Sequence, residues 1–207
     1  MAAFLIFSTS ANSALVSRLG GLAYYDTEAN LTWLADANYA QTSGYDSDGR
    51  MTWQQSMDWA AALNVGGIDG WRLADTLQPD AGCSQNISGT SFGFFCTGSE
   101  MGNLFYNVLG GSAASPITRS HNSNYDLFSN VQSSYYWSAT EYAPDTEGSA
   151  WLFDIFDGTL LSNLKTDDWN HYAWAVYSGD VSAVPIPAAF WLFGSGLIGL
   201  VGLARCK

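Results

Sequence analysis

Tyr135-Tyr136-Trp137-Ser138-Ala139-Thr140, Ala150-Trp151-Leu152-Phe153-Asp154-Ile155-Phe156 and Tyr172-Ala173-Trp174-Ala175-Val176-Tyr177 are three aromatic-rich runs in the last third of the chain. Each is short and separated from the next by polar sequence, so each reads as a strand. Upstream, Leu22-Ala23-Tyr24-Tyr25-Asp26 and Leu31-Thr32-Trp33-Leu34-Ala35-Asp36 read as a strand pair turning at Thr27-Glu28-Ala29-Asn30. Two helical patterns lie between these groups. Thr52 and Gln55 have the spacing of a capping box, and Trp53, Met57, Ala60, Ala61 and Leu63 keep helical period up to Gly66-Gly67. Thr97 and Glu100 repeat that spacing, and Met101, Leu104, Phe105, Val108 and Leu109 share one face before Gly110-Gly111. Trp71-Arg72-Leu73 is a short apolar strand or turn, and residues 38–50, 76–95 and 112–124 read as loops. Strands, two helices with long loops, then strands predict an α+β fold with antiparallel sheets.

The composition supports a packed core. Of 207 residues, 47% are hydrophobic and only 13% charged, which excludes a disordered chain. Aromatics reach 15% with nine Trp, which suits a compact β-containing core or a surface that stacks on sugars or peptides. The net charge is −12. Nucleic acid and sulfated polyanions need a basic field and are poor partners; cations, neutral glycans and basic proteins remain.

Both ends read as targeting segments. Ala2-Ala3-Phe4-Leu5-Ile6-Phe7 is apolar, and Ala11-Asn12-Ser13 is a small-x-small cleavage pattern before Ala14. This predicts a signal peptide over 1–13, truncated because no basic residue precedes the apolar run; the alternative is a buried first strand. At the other end Ile186–Ala204 carries no charge, and as a helix it reaches about 28 Å, near the thickness of a bilayer core. Arg205 and Lys207 follow, placing that end in the cytoplasm and the domain outside. An exported domain has an oxidising surrounding, so Cys83 and Cys96 read as a disulfide closing a Gly/Ser/Asn-rich loop, against the alternative of two free thiols. The chain thus divides into 1–13, a domain over 14–180, and a linker with tail over 181–207.

The tail also carries a motif. Val184-Pro185-Ile186-Pro187-Ala188-Ala189, then Trp191-Leu192-Phe193-Gly194-Ser195-Gly196-Leu197, then Arg205 and Lys207, resembles the PEP-CTERM class of sorting signals in its VPLPA-type variant. The resemblance covers only about the last two dozen residues, and Cys206 stands where such tails carry another basic residue. It implies an exosortase-type membrane protease as partner and an association with exopolysaccharide.

The domain has a resemblance of its own. Leu31-Thr32-Trp33, Gly70-Trp71-Arg72-Leu73, Tyr136-Trp137-Ser138-Ala139-Thr140-Glu141, Ala150-Trp151-Leu152-Phe153-Asp154 with Asp157-Gly158, and Ala173-Trp174-Ala175-Val176 are similar, in order, to the Lcl C-terminal-domain family. The set spans about Leu22 to Asp180. It implies a C-type-lectin-like fold with two helices, small antiparallel sheets and long variable loops. Ala74-Asp75 replace the family's Pro-Thr, and Val176-Tyr177 its Val-Arg. The family's glycosaminoglycan ligand depends on positive charge that this chain lacks.

No catalytic residue stands out. His121 and His171 have no zinc-ligand spacing, and Gly-x-Ser-x-Gly is missing. Asp46-Ser47-Asp48-Gly49 begins like a calcium loop, but Arg50 and Met57 occupy ligand positions, so a solvated turn is the better reading. Calcium remains the one cofactor expectation, with Asp145, Glu147, Asp157 and Asp168 as candidate ligands on acidic loops. Trp137, Trp151 and Trp174 lie in strands and read as core. Trp169, Asp167 and His171 lie in a polar loop suited to sugar stacking, and Glu141 leaves the sheet edge near the loops; these four are the candidate ligand-binding residues. The expected role is an exported, membrane-anchored binding or adhesion module that recognises glycan or protein. The alternatives are a structural matrix protein with no specific ligand and, third, a carbohydrate-active enzyme.

Overall fold

The computed structural model describes residues 15–167 and 169–181. The expected signal peptide, Asp168 and the sorting-signal residues Val184, Pro185, Pro187, Gly194, Gly196, Arg205 and Lys207 lie outside them. Among the described residues no helix is long and apolar enough to cross a membrane.

The fold is α+β with small antiparallel sheets. In chain order its strands are β1 (Leu15–Arg18), β2 (Ala23–Asp26), β3 (Leu31–Leu34), β4 (Arg72–Leu73), β5 (Gln85–Ile87), β6 (Thr90–Phe92), β7 (Tyr135–Glu141), β8 (Ser149–Asp154), β9 (Thr159–Leu164) and β10 (Ala175–Ser178). One sheet has the order β1-β2-β3-β10-β4, a second is β7-β8-β9, and β5-β6 is a separate hairpin. The C-terminal strand therefore lies inside the first sheet, antiparallel to both β3 and β4. The expected β2–β3 pair is present, with Asp26 Oδ1 accepting the amides of Glu28 and Ala29 in the turn.

The helices are shorter than the sequence suggests. They are α1 (Tyr39–Thr42), α2 (Trp53–Ala62), α3 (Glu100–Asn103) and α4 (Ile117–Ser120). Only α2 exceeds two turns, and its start is the expected capping box: Thr52 Oγ1 accepts the Gln55 amide, and Gln55 Oε1 accepts the Thr52 amide. The second capping box does not form. Ser99, not Thr97, precedes α3, and the Glu100 carboxylate is held by two Arg72 nitrogens at 2.7 Å each. A bidentate guanidinium outcompetes a single amide for that carboxylate. After Asn103 the chain continues as a π-helical turn over Leu104–Val108, which keeps Leu104, Phe105, Val108 and Leu109 buried as the spacing predicts.

The core is built from tryptophan. Trp33, Trp53, Trp59, Trp71, Trp137, Trp151 and Trp174 are all buried. Trp174 packs edge-on against Trp33 and Phe128 and lies 5.8 Å from the Tyr136 ring, so it joins the first sheet to β7. A buried indole N–H usually finds a partner. Trp53, Trp71, Trp137 and Trp174 donate to the backbone carbonyls of Ser138, Ile68, Met51 and Leu34. Cys83 and Cys96 form the expected disulfide, closing the segment that carries the β5–β6 hairpin. That hairpin, with β9 and β1, went unread in the sequence.

Candidate functional site

Trp169 is the exception among the described tryptophans: it is 77% exposed. The loop that carries it is wound tightly. Asp167 Oδ1 accepts the Trp169 amide, the Asn170 amide donates to the Asp167 carbonyl, and Asn170 takes a positive φ of 40°. The short turn throws the indole outward. The next residues are then pinned from both sides. His171 exchanges backbone hydrogen bonds with Met51, and Tyr172 donates to Tyr135 O while accepting from Trp137 N.

This pinning builds a cleft of about 500 Å³ beside Trp169, with Arg50 on one wall, Tyr135 and Ser134 on another and β9 along the floor. Arg50 lies 5.3 Å over the Tyr172 ring, and its Nε donates to the Tyr172 hydroxyl. Among the described residues it has no carboxylate within ion-pair distance, unlike Arg18, Arg72 and Lys165.

His171 is not the exposed ligand group its neighbours suggested. It is 6% exposed and packs edge-on against Trp137 and Tyr135. Its Nε2 lies 3.2 Å from both Asp167 Oδ2 and Asn163 Nδ2, and Asn163 Nδ2 also donates to Asp167 Oδ2. Burial pushes the imidazole below its ordinary pKa, against the pull of the Asp167 charge. The triad braces the Trp169 turn against the cleft. Across from Tyr135 on β8, buried Asp154 is pushed up to about 6 by desolvation, although the Phe156 amide donates to it.

Three of the four expected ligand-binding residues, Asp167, Trp169 and His171, thus line one cleft. Glu141 stands elsewhere: it pairs with Lys165 at 2.6 Å, whose Nζ also reaches Thr146 O and lies 4.2 Å from the Trp53 ring centroid. Arg50 and Tyr135 were missed, because each comes from a segment distant in sequence and has no local signal, whereas Asn170 lies in the polar loop already singled out.

Of the candidate calcium ligands, Asp168 lies outside the described residues, and Asp145, Glu147 and Asp157 form no metal-type group among them. Asp145 accepts the Gly148 amide and Ser149 hydroxyl, and Asp157 Oδ1 accepts the amide and hydroxyl of Thr159. Both carboxylates close turns. Among the described residues, the group of three metal-type side chains is Asp80, Cys83 and Cys96, whose sulfurs are bonded to each other. The calcium-like stretch is a turn, with Asp46 Oδ1 accepting the Asp48 and Gly49 amides.

No protein-family model, no curated protein and no solved structure matches this chain.

Proposed function

We propose that this chain is a carbohydrate-binding module acting at the cell surface. One observation carries the reading: a protein that buries seven tryptophans leaves Trp169 exposed beside a cleft lined by amides, hydroxyls, the Asp167 carboxylate and the Arg50 guanidinium, which among the described residues has no carboxylate within ion-pair distance. An exposed indole face is costly in water and suits the C–H face of a sugar, while planar polar groups around it satisfy hydroxyls. The cleft reads as a binding site and not a catalytic one. Its imidazole is 6% exposed, and Asp167 and Asn163 hold its Nε2. The lectin-like resemblance of the domain supports the same reading. The sorting-type tail supports export, anchoring outside the cytoplasmic membrane, and processing by an exosortase-type protease.

The test is a glycan array probed with the full-length protein and with Trp169→Ala, each with calcium and with chelator. Wild-type signal that is lost in the variant and unchanged by chelator is the expected result. A blank array in both conditions would sink the binding reading and favour a matrix protein without a specific ligand. Processing by the sorting protease is tested separately, by mass measurement of the protein from a host holding that protease; an intact tail overturns it.

A further inference from the structure

The Trp169 cleft does not end at its own rim. Leu161 and Ser162 of β9 line it and also line a second hollow of about 250 Å³, walled by Phe92, Tyr142 and Trp151. At the opposite side, Arg50, Trp169 and Asn170 are shared with a third hollow of about 400 Å³ that Asp48 closes. We propose that the three form one groove, passing over the β9 edge at Leu161 and Ser162, for a linear, uncharged oligosaccharide of at least three sugar units, with Trp169 near one end and the Phe92–Tyr142–Trp151 wall at the other. The proposal rests on the carbohydrate-binding reading and adds the form of the ligand.

Three features select this occupant. Aromatic side chains recur along the groove, with Ser162 and Asn170 between them, which is the alternation of C–H faces and hydroxyls along a sugar chain. Charge is the second feature: Asp48 and Asp167 outnumber Arg50 in a chain of net charge −12, so a polyanionic glycan is repelled.

The third feature excludes a peptide strand. Leu160 exchanges both backbone hydrogen bonds with Gly93, on the side of β9 away from β8. The alternation of an antiparallel ladder then turns the Ser162 N–H and C=O the same way, into the wall shared by two hollows. Beyond it, the Leu164 amide donates to Asn163 Oδ1 and the Lys165 carbonyl accepts from Trp53. The edge is blocked on both sides of Ser162. Strand addition needs a run of alternate residues, whereas a sugar hydroxyl needs one.

The experiment measures full-length protein by calorimetry against ladders of one to six units of β-1,4-glucan, α-1,4-glucan, β-1,3-glucan, mannan and β-1,4-linked N-acetylglucosamine. Affinity in the bound series should rise at least tenfold between one and three units and then level. Phe92→Ala should weaken the hexamer at least tenfold more than the monomer. Ile87→Ala is the control: it lies on the same hairpin, is 60% exposed and does not line the groove, so it should change neither. Equal affinity for one and six units, or equal loss at all lengths in Phe92→Ala, overturns the groove and leaves the Trp169 site standing. Binding by no ladder overturns both proposals.

Discussion

Trp169 and His171 sit two residues apart and have opposite environments, and the difference is tertiary. The Asp, Asn and turn residues around Trp169 were enough to mark it as exposed. His171 shares those neighbours but packs on Tyr135 and Trp137, more than thirty residues away, which no local pattern announces. Because the Trp169 ring makes little contact with the protein, Trp169→Ala should shift stability by no more than about 0.5 kcal/mol while abolishing glycan binding. Urea melts alongside the array separate the two effects. Asp154 makes the converse prediction, on stability alone. Burial raises its folded pKa to about 6, above the ordinary carboxylate value of 3.8. The folded state then binds more protons than the unfolded one between those values, so this group's contribution weakens as pH rises from 4 to 6 and stays low above. Asp154→Asn keeps the oxygen that accepts the Phe156 amide. It should raise Tm at pH 8 and have no such effect at pH 3.5, as scanning fluorimetry at the two values would show; an equal change at both would mean the carboxyl does not titrate there.

The two capping-box patterns show what an element's sequence can and cannot say. Thr52 and Gln55 have no rival partners, so the local pattern formed as written. Thr97 and Glu100 lost to Arg72, which approaches from β4 and lies 28 residues from Glu100. Thr52→Ala should therefore cost about 1 kcal/mol in chemical denaturation, whereas Thr97→Ala should cost no helix-capping energy. The β5–β6 hairpin is an element the sequence hid, because its strands are three residues each and exposed polar residues dominate β5. It is held from outside, by the Cys83–Cys96 bond and by the Gly93–Leu160 bridge to β9. Replacing both cysteines with serine should cost roughly 3 kcal/mol by loop entropy. Loss of that order, with α2 and the first sheet still protected in hydrogen exchange well below the Tm of the variant, is the expected pattern.

At the scale of the molecule, α+β character and antiparallel pairing were legible because the aromatic runs have no competing reading. The strand order was not. Placing β10 between β3 and β4 depends on Trp174 meeting Trp33, and 140 residues separate it from its hydrogen-bond acceptor Leu34. That ring touches both large sheets, so they should unfold together. Trp174→Ala should cost about 3–5 kcal/mol and lower tryptophan fluorescence and far-ultraviolet midpoints equally; separate midpoints would mean two independent units. Finally, Arg18 Nε and Nη2 reach Asp180 at 2.6 and 2.8 Å, so the end of the first strand and the exit from the last are tied together although β2 and β3 lie between those strands. The connectivity of the chain is thus separable from its architecture. A circular permutant joining residues 181 and 15 by a short linker, and opened at the exposed Ser88-Gly89 tip, would leave its new ends tied together by the disulfide while keeping every sheet.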